Sequence, residues 1–182
     1  PSVANARLQL GSQLLYDPQG GGRRQMNAHA IQDLIPDNLC YGCGPDNAHG
    51  LQIKSFWEGD ETVSTYVPKP FQTAGPEKIL NGGIIATIID CHCVCTAIAD
   101  AYRREGRTIG TEPPIWCATA SLKVDYLRPV PIDQPVVLWA RVAEAESKKT
   151  RITCSLFSKG LECARAEVLA IRVPPEWRNQ QP

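Results

Sequence analysis

No excess of charge of either sign marks this chain. Lysine and arginine together number 19, aspartate and glutamate also number 19, and the formal net charge is zero. Without a global field nothing steers the chain onto nucleic acid or an anionic membrane, so neither partner is expected. A local basic patch for a phosphorylated group is still compatible with this balance. No apolar run approaches ~20 residues, which argues against membrane insertion. Pro1 to Asn5 lack a basic stretch followed by an apolar one, so no secretory signal is expected. Internal repeats and low-complexity tracts are also missing.

Cysteine is not scarce, but a disulfide framework is. Three of the eight cysteines, Cys91, Cys93 and Cys95, crowd one apolar segment. At that spacing on a helix they cannot easily pair with one another. Reduced thiols in a cytoplasmic protein are the expectation. Cys40 and Cys43 form a CxxC with His49 nearby, but no second close pair is obvious to complete a metal site. The loop cysteines therefore read as free thiols and Cys91 and Cys95 as small core residues, with no metal expected.

A length of 182 residues suits one domain with a real core. Residues 1–36 read as an N-terminal extension, partly mobile around the glycine-rich run Gly20 to Gly22, with a short helix over Asn27 to Leu34. The domain proper is expected over 37–175, and 176–182 as a tail. Leu51 to Phe56 alternates apolar and polar, Glu61 to Val67 does the same, and Gly59-Asp60 lies between, which predicts a hairpin. Gly82-Gly83 then opens a helix running to about Arg104. From Ile84 to Ala99 it is apolar or small apart from Asp90, His92 and two threonines. A helix that is apolar all round is buried on all sides. Arg103 and Arg104 suit its C-terminal dipole, and Gly106 its stop. Strand patterns follow over 117–127, 136–142, 151–157 and 162–173, joined by short turns as an antiparallel meander. The economical packing is a curved antiparallel sheet wrapped around one long helix, an α+β architecture.

Two features of the helix carry chemistry. Glycines at a helix start leave backbone N–H groups open to a ligand, and those donors can hold a developing oxyanion. Asp90 lies among Ile88, Ile89, Cys91, Cys93 and Val94, where a carboxylate is costly unless paired or useful, and where burial raises its basicity.

Asn81-Gly82-Gly83 followed by Asp90 resembles the His-Gly-Gly…Asp signature of PaaI-type hotdog-fold thioesterases. The strand Leu122 to Pro131 is similar to that family too, as is the opening Cys40 to Asn47 leading to Gly50-Leu51. The resemblance covers roughly residues 38–173. It implies the hotdog fold and hydrolysis of an acyl-CoA or aryl-CoA thioester, with coenzyme A entering only as part of the substrate. Asp90 is then nucleophile or general base, Gly82 the oxyanion donor, and Thr119 an assisting hydroxyl. Asn81 stands where the family has histidine. It can orient substrate but cannot shuttle a proton near neutral pH. Gly83, Gln72 and Arg128 are candidate substrate contacts, Gln72 for the amide that relatives place before the glycines and Arg128 for a coenzyme A phosphate. His92, two residues from Asp90, points to a nearly opposite helix face and reads first as packed or interfacial, with substrate contact as the alternative.

The fold also hosts dehydratases and non-catalytic acyl-CoA-binding proteins. Asp90 and His92 lack the spacing of the dehydratase motif. Gly82 and Asp90 are eight residues apart on one helix, ~12 Å along its axis. A reacting carbonyl must lie ~3 Å from both, so one helix cannot supply both groups to one site. At least a homodimer is therefore required if both act, and a dimer of dimers is expected from the resemblance.

Overall fold

The computed structural model describes residues 29–179. Its six strands form one antiparallel sheet: β1 (Ser55–Glu58), β2 (Glu61–Tyr66), β3 (Trp116–Tyr126), β4 (Val136–Glu146), β5 (Lys149–Ser158) and β6 (Leu161–Val173). The spatial order is β1-β2-β4-β5-β6-β3. A single long helix, α1 (Gly82–Arg104), lies across the concave face and touches β3, β4, β5 and β6. This is the expected curved sheet around a central helix. Residues 1–28 and 180–182, including the glycine-rich run of the expected extension, lie outside the described residues.

Local chemistry sets the turns. Gly59 adopts φ +63° in the β1–β2 hairpin, and Lys159 and Gly160 adopt +52° and +74° between β5 and β6. Two successive positive φ values match the twist of a tight hairpin. On β5 the alternation is strict: Thr150, Ile152, Cys154, Leu156 and Ser158 are buried and face the helix. Ile88 and Ile89 of α1 are fully buried, each burial contributing about 1.5–3 kcal/mol. By length and a mean hydropathy of 1.7, α1 would suit a membrane span, but most of that window is buried inside the protein. It is the core of the fold.

The sequence expects the extension to end at residue 36, and the described part of that extension packs against the domain. Ala30, Ile31, Gln32 and Ile35 are all buried, and Ile31–Leu34 forms a 3-10 turn against α1 in place of the expected short helix. Gln32 is the reason. Its amide donates to Ser55 Oγ at 2.8 Å and its Oε1 accepts from Ser55 N–H at 2.7 Å, so this segment supplies partners that β1 needs.

The same network explains His92. It is fully buried; its Nδ1 lies 2.7 Å from Ser55 Oγ and its Nε2 3.5 Å from Thr62 Oγ1. Gln32 already donates to Ser55 Oγ, so the Ser55 hydroxyl proton is free for His92 Nδ1. Thr96 donates to the His92 carbonyl at 2.8 Å, so Thr62 donates to Thr96 at 2.5 Å and accepts from His92 Nε2–H. Burial pushes the imidazole pKa down to about 4, so it is neutral with one ring nitrogen donating and one accepting. The alternative of substrate contact fails here: His92 points at β1 and β2, away from the face that carries Asp90.

Candidate active site

The helix N-terminus is pinned from both sides by backbone. Asn81 N–H donates to the Gln72 carbonyl at 2.9 Å and Leu80 N–H to the Val130 carbonyl at 2.8 Å. Asn81 is the N-cap: its Oδ1 accepts from Gly83 N–H at 2.7 Å. That bond settles how the two glycines differ. Gly83's N–H is held by the cap, so it is not a ligand donor as the sequence reading had it. Gly82's N–H belongs to the first turn, where no intrahelical acceptor exists. Asn81 keeps its amide hydrogens for a ligand, but its oxygen is engaged. Replacing Asn81 by alanine should therefore cost about 0.5–2 kcal/mol of stability, and serine should restore most of it. Equal melting temperatures for wild type and the alanine variant would rule out the cap.

One face of β3 closes the site. Thr119 Oγ1 donates to Asp90 Oδ1 at 2.6 Å. Tyr126 Oη donates to the Gly82 carbonyl at 2.8 Å. These two residues are seven apart, and in a regular strand they would face opposite sides. The register of β3 against β6 slips between Thr119 and Ser121. The slip inserts Ala120 as an extra residue and inverts the alternation beyond it. Both hydroxyls therefore point at α1.

Asp90 is half-buried, and burial raises its carboxyl above the ordinary range, with the Thr119 hydrogen bond pulling the other way. Its Oδ1 is tied to Thr119, which leaves Oδ2 for water or substrate. The face of β3 beside it is open: Thr119, Leu122 and Tyr126 are exposed. β3 is also an edge strand, pairing only with β6 among the described residues.

The other expected contacts are less central. Gln72 is buried; its Oε1 accepts from Tyr66 Oη at 2.7 Å and Lys69 N–H at 2.8 Å, while its main chain holds Asn81. It supports the helix start from below, so a direct substrate contact through that oxygen is closed. Arg128 is exposed at the Tyr126 end of β3 and donates to the Glu162 carbonyl at 2.6 Å. A cavity of about 250 Å³, lined by Arg104, Lys148 and Arg172 among others, lies at the opposite end of α1. Its nearest helical wall, Ala101, is eleven residues beyond Asp90, ~16 Å along the axis, so it is not where this chemistry sits. Sequence reasoning missed Tyr126. The quoted strand motif contains it, but parity counted from Thr119 puts it on the wrong face unless the bulge is known.

The comparisons follow the same architecture. The thioesterase superfamily model matches residues 77–164. A thioesterase superfamily protein from Shewanella loihica PV-4 is 33% identical, covers 70% of this chain and 96% of its own, and superposes with a TM-score of 0.56. The phenylacetic acid degradation-related protein of Ralstonia eutropha JMP134 is 18% identical over 71% of this chain and 92% of its own, with a TM-score of 0.58. The E. coli PaaI protein from the phenylacetic acid degradation operon is 14% identical over 68% of this chain and 81% of its own, with a TM-score of 0.55. Among curated proteins, none matches the chain in sequence.

Proposed function

Because this chain belongs to the thioesterase superfamily and carries its hotdog fold, we propose that it hydrolyses a coenzyme-A-type acyl or aryl thioester to free acid and thiol. The observation that carries this reading is Asp90: a half-buried carboxylate, oriented by Thr119, beside an open face of β3. Asp90 attacks the thioester carbonyl, or takes a proton from a water that does. The Gly82 N–H stabilises the oxyanion, aided by the positive end of α1. The thiolate leaves and is protonated, and water supplies the oxygen of the acid. Such chemistry draws on no redox cofactor.

The working unit is a homodimer, with Gly82 from one protomer facing Asp90 of the other. The ~12 Å that separates these residues along one helix supports this, as does the place of β3 at the end of the strand order, where a second copy could add its own strand. A further pairing of dimers fits the same family. Eight unpaired thiols suit a reducing cytoplasm.

The test is a thiol-release assay over short-chain, long-chain and aromatic acyl-CoAs. At least one class should turn over with saturation. Saturable binding of acyl-CoA with no thiol release across the panel would instead identify a non-catalytic binding protein.

A further inference from the structure

The sequence presents Cys40 and Cys43 as a loop pair without a second pair. Folding supplies it. Cys91 and Cys95 are four apart on α1 and share a face, while Cys93 turns away. The loop lies on that face. Cys40 Sγ is 3.6 Å from Cys91 Sγ, and Cys43 Sγ is 3.8 Å from Cys95 Sγ. The sulfurs of Cys40, Cys43 and Cys91 all lie within 4.8 Å of one another. His49 is exposed and stays outside the group.

We propose that Cys40, Cys43, Cys91 and Cys95 bind one zinc ion that clamps the 38–50 loop onto the central helix. Zinc bound tetrahedrally at ~2.3 Å per thiolate places its sulfurs ~3.8 Å apart, and CxxC is a common half of such a site. The Cys40–Cys91 and Cys43–Cys95 spacings are already close to that figure, and Cys95, whose sulfur lies outside the 4.8 Å group, has only to close on the other two. Cys95 contacts Cys43 and completes the tight three one turn further along the helix.

The loop is shaped for this approach. Gly44 N–H donates to the Cys40 carbonyl at 2.8 Å and closes a turn around the pair. A side chain at Gly44 would begin 2.4 Å from the Asn38 carbonyl oxygen, and one at Gly42 would begin 2.2 Å from Cys91 Sγ. Both positions bring the loop backbone too close to its neighbours for any Cβ. Buried Asn38 accepts from Cys40 N–H at 3.1 Å and directs its amide at Cys43 Sγ, 3.7 Å away. An amide donor behind a thiolate is the support that ligands of a metal need. Cys43, Cys91 and Cys95 are buried and Cys40 is exposed, so the ion has an entry path from solvent. Binding is balanced when one Zn²⁺ displaces four thiol protons to water, leaving a four-thiolate centre. That site is closed and structural, and takes no part in the proposed hydrolysis.

Metal analysis of the full chain, purified without chelators, should find about one zinc per chain. Stripped, reduced protein should bind Co²⁺ with thiolate-to-cobalt absorption, and zinc should displace it. Cys43→Ser and Cys91→Ser should each abolish the stoichiometric zinc, whereas Cys163→Ala, outside the group, should keep it. If the serine variants do not fold, titrating wild-type protein with a mercurial keeps the idea testable: zinc should leave as four thiols react. Failure of the reduced apoprotein to bind Zn²⁺ or Co²⁺ would overturn the proposal. So would iron on these thiols, or Cys40–Cys91 or Cys43–Cys95 disulfides in protein alkylated without exposure to air.

Discussion

Asp90→Asn should lower turnover at least ~100-fold and leave the fold in place. A general base typically contributes that factor or more, and the amide cannot take up a proton. The substitution keeps the shape, so the Thr119 hydroxyl, 2.6 Å from Oδ1 in the wild type, still finds an oxygen to donate to. A neutral amide is also less costly than a charge among Ile88, Ile89 and Cys91. Melting temperature and circular dichroism should therefore stay near wild type while kcat collapses. A folded variant that keeps activity within a few-fold would remove Asp90 from the mechanism.

Mixing two inactive variants should restore activity. Gly82→Pro removes the N–H that the proposed oxyanion site uses, and proline is tolerated in the first turn of a helix. The Tyr126 hydroxyl reaches the carbonyl of Gly82 rather than its N–H, so that contact is unaffected in kind. Asp90→Asn removes the base. If each site takes its glycine from one protomer and its aspartate from the other, a mixed dimer concentrates both defects in one site and leaves the second wild type. Refolding an equal mixture should make about half the dimers mixed, so roughly a quarter of all sites recover. Starting from two nearly dead parents, this is a large rise. Mixed dimers confirmed by native mass spectrometry, with activity still at the parental level, would show that each site lies within one chain.

Much of the fold was legible because its signals are periodic. The apolar run from Ile84 to Ala99 marks the central helix, and the alternating segments after residue 116 mark the meander. Asp90 and Thr119 were legible by resemblance, and the structure joins them by a hydrogen bond. What escaped has no local pattern. Gln32 is one polar residue in a short segment, and its value lies in meeting Ser55, 23 positions away. Cys40 and Cys91 are 51 apart, so their meeting belongs to the packing of a loop on a helix. Asn81 is only half legible for another reason. Its chemistry allows both a cap and a substrate contact, and only the 2.7 Å bond to Gly83 N–H shows which use its oxygen has.

The extra residue in β3 has a bearing on how this strand can vary. Substitutions there change one side chain at a time, but a change in length at the bulge shifts the count of every residue beyond it. Deleting Ala120 would leave Thr119 opposite Ala170 and Ser121 opposite Leu169 as they stand, so Tyr126 would keep its face while lying six residues after Thr119 instead of seven. A homologue lacking the insertion must therefore carry its helix-facing hydroxyl at a position of opposite parity. An alignment that runs through this strand without a gap will pair residues that occupy different faces. For this strand the number of residues is inherited information in its own right, and relatives are better compared by counting back from the proline that follows Arg128 than by counting forward from the helix.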